Sequence, residues 1–224
     1  MRIRKDGETT RQKILDAASR VFGEKGYREA THAEICRLAG VNTASINYHF
    51  GSKDALYRAT WDHLAARLDA IYPIDGGVSQ DAPAEERLAG NIRALLSRKA
   101  DRTELGDFHK IRMRELMNPT GLLDEAIAGW LHRTKAYTRG IIQELLGQEA
   151  SDFDIELCEM SLISQCFMAQ GPPGKKKRLS LWRFSEKDIG RLAQHITTFC
   201  LAGIAALRRQ LSQQKGESLH SSSY

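Results

Sequence analysis

Four cysteines in 224 residues, none of them in a C-x-x-C pair, leave neither a disulfide framework nor a zinc knuckle to read. Cys36, Cys158, Cys166 and Cys200 fall in segments of helical periodicity, where free cysteine packs as a small hydrophobe, so all four are expected buried and reduced. No run of 18 apolar residues occurs, and the first twenty residues are charged and polar with no apolar core of signal-peptide kind. The expectation is a cytoplasmic protein without a membrane partner. Strand signals are nearly absent. Missing too are a nucleophile elbow, an H-E-x-x-H pair, a phosphate-cradling glycine loop and a dinucleotide fingerprint, so nothing points to an enzyme, a metal or a cofactor. Asp107, His109 and Glu115 come nearest to a polar cluster, and they read as one charged helix face.

What is present is an ordinary apolar fraction, 42%, enough to bury a core of one large domain or two modest ones. The net charge of +5 is unevenly spread: residues 1–60 hold eleven Lys and Arg against seven Asp and Glu, leaving +1 for the remaining 164. A basic first quarter joined to a near-neutral body suits an anionic polymer as partner for one end only.

Helix signals fill the chain. Thr9 with Gln12 reads as a capping box, followed by Ile14, Leu15, Ala18, Val21 and Phe22 at helical spacing, which predicts a first helix over about 10–25 closed by Gly26. A second box, Thr31 with Glu34, opens a helix of about eight residues that stops at Gly40. Asn42 can cap a third, in which Ile46 and Phe50 share one face, and Gly51 ends it. Ser52 can cap a fourth that carries Ala55, Leu56, Ala59, Leu64 and Leu68 and fades near Pro73.

Two short helices joined by a tight glycine turn must approach closely, and Cys36 is the small residue four positions before Gly40. Val41 and Ile46 anchor the second helix, leaving Thr43, Ala44, Ser45, Asn47, Tyr48 and His49 on or near the outward face. No acid occurs from 43 to 53, which suits a surface pressed against phosphates. The restart at Ser52 beside Lys53 offers a helix N-terminus and an ammonium together as an anion site. Arg2, Arg4 and Lys5 read either as an arm reaching DNA or as a solvated end.

The span from about Thr9 to Tyr57, with "ILDAASRVFGEKGYREATHAEICRLAGVNTASINYHFGSKDAL" at its heart, resembles the N-terminal DNA-binding domain of the TetR family of bacterial transcriptional regulators. The "AGV" turn and the "Y-H-F-x-S-K" signature carry the likeness. The resemblance implies an all-α protein: a three-helix helix-turn-helix domain followed by a helical ligand-binding and dimerisation domain. It also implies a homodimer that binds a palindromic operator in double-stranded DNA and is released by a small-molecule effector, with Tyr48, His49 and Lys53 on the phosphate backbone and Thr43, Ala44, Ser45 and Asn47 facing bases. Tyrosine is more usual where Asn47 stands, and asparagine can pair with adenine through two hydrogen bonds, so base readout is expected to differ.

The domains are then expected at 1–57 for DNA binding, 58–83 for a connecting helix and loop, and 84–211 for effector binding and dimerisation, with a disordered polar tail at 212–224. Helices are predicted over about 84–99, 103–117, 121–146, 152–169 and 185–211, about nine in all. "FHKIRMRELMNPTGLLDEAI", residues 108–127, resembles a subgroup with an R-E-x-x-x-P-T element, linked to control of efflux, so a transporter gene is an implied target. Phe108, Met113, Met117, Trp130, Tyr137, Met160 and Phe167 are candidate pocket walls, with His109, Arg112 and Gln165 as polar anchors; each reads equally as core or surface. Stripes at Phe153, Leu157, Met160, Ile163 or Ser164, and Phe167 and at Ile189, Leu192, Ile196, Phe199, Cys200, Gly203, Ile204 and Leu207 suit a four-helix dimer interface. The loop "GPPGKKKRLSLWRF", 171–184, reads as an exposed connector or, through Lys175–Arg178, as a contact for an acidic partner or nucleic acid. A thiol- or metal-responsive regulator is the rival reading, although Cys158 and Cys166 lie two helical turns apart, about 12 Å, too far to share one metal.

Overall fold

The computed structural model describes residues 2–101, 105–168 and 186–221, with side chains for 7–101, 105–168 and 187–215. The described chain is all helical: α1 (Arg2–Glu29), α2 (His32–Ala39), α3 (Thr43–Phe50), α4 (Lys53–Ile71), α5 (Ala84–Ala100), α6 (Gly106–Met117), α7 (Asp124–Leu146), α8 (Asp152–Met168) and α9 (Ile189–Ser221), the last preceded by a 3-10 turn at Glu186–Asp188. None of the described helices is long and apolar enough to cross a membrane.

The caps read from the sequence set the starts of α2, α3 and α4. Thr31 accepts the Glu34 amide at 3.3 Å, and Asn42 Oδ1 accepts the Ser45 amide at 2.9 Å. Ser52 Oγ accepts the Ala55 amide at 3.1 Å, so three helix starts each satisfy an orphan donor. The Thr9 box does not start a helix. Residues 2–8 hold no proline and several good helix formers, and α1 runs through Thr9 from Arg2. The backbone at Arg2, Arg4 and Lys5 is therefore helical, while their side chains lie outside those described. α1 breaks at Gly26, whose φ of 80° and ψ of 174° suit only a residue without a β-carbon. At the far end α9 continues to Ser221 rather than stopping at 211. Gln, Lys and Glu propagate it, and Lys215 pairs with Glu149 at 2.6 Å. The basic loop at 171–184, with Lys175–Arg178, lies outside the described residues.

Two compact units organise the chain, one of Met1–Ile71 with Asp101–Leu131, the other of Tyr72–Ala100 with His132–Tyr224. In the first, α1 packs on α2, α4 and α6 around Ile14, Phe22, Ile35, Ile46, Leu56, Tyr57, Trp61, Phe108 and Ile111, all essentially buried. In the second, α5 and α8 pack on α9 over a core that includes Leu88, Ile92, Ile142, Leu162, Ile196 and Ile204. Three of the four cysteines, Cys158, Cys166 and Cys200, belong to that core, and all four are free and buried. Ile196, Cys200 and Ile204 thus face inward, whereas the sequence stripe had grouped them with Phe199 and Leu207, which are exposed. Periodicity finds an apolar face but not which neighbour covers it.

Candidate nucleic-acid interface

The turn between α2 and α3 is built from its smallest parts. Gly40 takes a left-handed conformation, φ 67° and ψ 36°, and its amide bonds to Cys36 O. The Val41 amide reaches the same carbonyl at 3.1 Å, closing α2 within one turn. Cys36 packs there nearly buried, its thiol 3.8 Å from Thr43 Oγ1. Ile46, fully buried, then pins α3 by its inner face. The opposite face is left outward by helical geometry.

Thr43, Ala44, Asn47 and Tyr48 are exposed, and Ser45 and His49 are half-buried. Tyr48 is 85% exposed, an apolar ring with a polar tip. The His49 ring meets it edge-on at 5.0 Å. Arg11 adds a cation over the Phe50 ring at 5.3 Å. The surface carries hydroxyl, amide, phenol and imidazole groups without a carboxylate, which suits it to hydrogen-bond phosphates and base edges.

Lys53, at the start of α4, is held rather than free. Its ammonium lies 4.6 Å from the Tyr27 ring centre and donates to Arg28 O at 3.5 Å. Tyr27 in turn donates to Asp54, and that bond, with burial adding to it, raises the phenol's pKa. The end of α1 and the start of α4 are thereby joined next to α3.

Sequence reasoning did not anticipate how α6 enters this unit. Arg114 donates to Gly23 O at 3.1 Å and also to Glu24 O, occupying carbonyls freed where α1 ends. Arg28 reaches Asn118 Oδ1 at 3.3 Å and Pro119 O at 3.4 Å. Glu115, buried, accepts the Tyr57 hydroxyl at 2.7 Å, the Thr120 amide at 2.9 Å and the Thr120 hydroxyl at 3.0 Å. The R-E-x-x-x-P-T element therefore ties α6 to α1 and α4. The sequence held the signal, two charged residues beside Pro119 and Thr120, without the partners that explain it.

Of the candidate pocket residues, Phe108, His109, Arg112 and Trp130 come together in the first unit. The Phe108 ring centre lies 4.5 Å from that of Trp61, tilted, and 5.0 Å from that of Trp130, edge-on, with His109 edge-on to Phe108 at 5.5 Å and Arg112 over Trp130 at 5.5 Å. Met113 is half-buried and Met117 exposed. Tyr137 and Gln165 belong to the second unit. There burial raises the Tyr137 phenol's pKa, and Gln165 donates to Ser161 O at 3.3 Å and to Cys200 Sγ at 3.5 Å. Met160 and Phe167 are exposed. Among the described residues no three His, Cys, Asp or Glu side chains are grouped to hold a metal ion.

Residues 14–60 match the family model for bacterial regulatory proteins of the tetR family. Residues 84–204, more than half the chain, match the model for the C-terminal domain of the HTH-type transcriptional dual regulator CecR. The HTH-type transcriptional regulator BetI of Brucella canis is 35% identical over 87 residues, 39% of this chain and 43% of that one. TtgR of Pseudomonas putida, another HTH-type transcriptional regulator, is 35% identical over 81 residues, 33% of this chain and 39% of its own. The aligned part thus spans less than half the length of these curated relatives. Among solved structures, a putative transcriptional regulator from Pseudomonas aeruginosa PAO1 superposes with a TM-score of 0.66 at 19% identity, covering 90% of this chain and 93% of that one. AibR, solved in complex with isovaleryl coenzyme A and operator DNA, gives 0.62 at 14% identity over 85% and 97%. At such identities the likeness is one of fold.

Proposed function

The chain belongs to the TetR family of bacterial transcriptional regulators, and from that premise we propose that it binds a palindromic operator as a homodimer and is released from it by a small-molecule effector. The observation that carries the reading is the outward face of α3: exposed, free of acids and held rigid by the buried Ile46. In this reading Thr43, Ala44, Ser45 and Asn47 face the bases, Asn47 pairing with adenine, while Tyr48, His49 and Lys53 hold phosphates. Residues 1–57 form the DNA-binding domain, 58–83 connect it, and 84–211 sense the effector and dimerise. The likeness in fold to AibR, whose complex holds both an acyl coenzyme A and operator DNA, supports an effector-gated mode. The resemblance of residues 108–127 to efflux-linked regulators makes a transporter promoter the first target to examine.

The thiol-sensing alternative has less support. Burial, with Cys200 nearby, pushes the Cys166 thiol up to about 12, and burial also raises Cys158 and Cys200. Reactive sensor thiols are instead lowered and accessible.

Selection of bound fragments from random duplex DNA tests the proposal. Wild type should enrich a palindrome with half-sites about one helical turn or more apart, and the double variant Asn47→Ala, Tyr48→Ala should bind it about ten- to a hundredfold more weakly. Equal, sequence-independent binding by both proteins would overturn it.

A further inference from the structure

Arg112 is a cation of the first unit whose surroundings leave it unfinished. It is half-buried on α6, with its guanidinium carbon 5.5 Å from the centre of the Trp130 ring. Trp130 packs at 5.0 Å against Phe108 and at 6.4 Å, edge-on, against Trp61. These three rings are 5% exposed or less, so the guanidinium sits against a dry aromatic surface. Desolvation lowers its pKa, yet an arginine remains charged in a protein. Among the described residues none supplies Arg112 with a carboxylate or a hydrogen-bond acceptor, whereas its neighbours on α6 are engaged: Lys110 with Asp107 at 2.5 Å and Arg114 with Gly23 O at 3.1 Å.

Stacking leaves the useful part of an arginine unspent. A cation–π contact uses none of a guanidinium's five N–H donors. Those donors form a fork that matches the two oxygens of a carboxylate. A desolvated cation without a counter-ion also costs stability, which an incoming anion would relieve. One guanidinium neutralises one charge, so in apolar surroundings a monoanion is favoured over a phosphate dianion, whose second charge would be desolvated uncompensated.

We propose that Arg112 and the Trp61, Phe108 and Trp130 rings form the head-group site for the effector, and that the effector is a small amphipathic carboxylate. Its carboxylate takes the Arg112 fork. The proposal rests on the effector-gated reading above and narrows it to one ligand chemistry.

The test uses the full-length protein carrying Trp182→Phe, so that the remaining tryptophans, Trp61 and Trp130, report from the cluster. Fluorescence quenching is titrated with benzoate, 2-naphthoate and decanoate and with the neutral amide of each. At least one carboxylate should bind about tenfold or more tightly than its amide. Arg112→Gln should erase that preference, and Arg112→Lys should keep part of it. If no acid outcompetes its amide, or Arg112→Gln leaves the preference intact, the proposal fails, and the wild-type comparison stands even if a variant misfolds. Operator selection on the same preparation separates the two readings. An enriched palindrome without acid preference overturns this site alone, whereas acid preference without an enriched palindrome overturns the regulatory reading and leaves a carboxylate site.

Discussion

Asp107 shows how a single charged side chain is used where two helices meet. It is buried on α6, against the point where a β-carbon on Gly23 of α1 would stand 2.8 Å from its Oδ1. Burial raises its pKa, Glu24 adds to the rise, and the Lys110 ion pair opposes it without prevailing. A carboxyl whose folded pKa lies above its unfolded value binds its proton more tightly when folded, so ionisation burdens the folded state as pH rises. The burden is absent below the unfolded value, about 3.9, and complete once pH has passed the raised folded value. Asp107→Asn keeps the shape and removes the charge. The variant should therefore have a higher urea midpoint than wild type at pH 7, the gain shrinking to nothing as the comparison moves below about pH 4. A loss at pH 7 would mean that the pair with Lys110 outweighs desolvation.

Among the elements, α5 meets a loop on one side as well as α9 on another. Gly90 lies mid-helix, where alanine ordinarily adds about 1 kcal/mol of stability. Here a β-carbon would stand 2.4 Å from Asp75 O and 2.6 Å from Val78 Cγ2, because the loop from Tyr72 to Pro83 lies on this face. Asn91 Nδ2 holds Ile74 O at 3.0 Å and Arg98 Nε holds Tyr72 O at 2.7 Å, so the loop cannot lift away cheaply. Gly90→Ala should therefore destabilise by about 1–3 kcal/mol, read as a lowered thermal midpoint; a raised midpoint would show that the loop yields. The contrast with the caps explains what was legible beforehand. Thr31, Asn42 and Ser52 act on amides three residues away, so type and spacing sufficed. The outward face of α3 followed from Ile46 and Phe50 in the same local way. Gly90, by contrast, answers to a loop at Asp75, Glu115 to Tyr57 and Lys53 to the end of α1. Such partners are set by tertiary packing, which no periodicity encodes, and the same blindness placed Ile196, Cys200 and Ile204 in an interface stripe although they line the core.

For the whole molecule, the last two helices of the second unit carry exposed apolar side chains. Phe153, Leu157 and Met160 on α8 and Phe199 and Leu207 on α9 are 40–66% exposed. α8 and α9 pack on each other, and on α9 the outward line from Phe199 to Leu207 passes Gly203, where an added β-carbon would meet nothing within 4 Å. Residues four apart fall on one face, so this line is a flat apolar strip with a smooth centre, the form that lets a second copy approach closely in a four-helix bundle. Phe199→Glu tests it away from the inward core, because the ring it replaces is 64% exposed and its loss opens no cavity. Wild type should sediment as a dimer at micromolar concentration and the variant as a monomer with unchanged helical circular dichroism. Operator affinity should fall by about a hundredfold or more, since two half-sites joined by one dimer gain the effective concentration that separate monomers lack. Binding to an isolated half-site, by contrast, should be the same for both proteins. If Phe199→Glu remains dimeric with full operator affinity, the dimer forms through another surface and this strip meets some other partner.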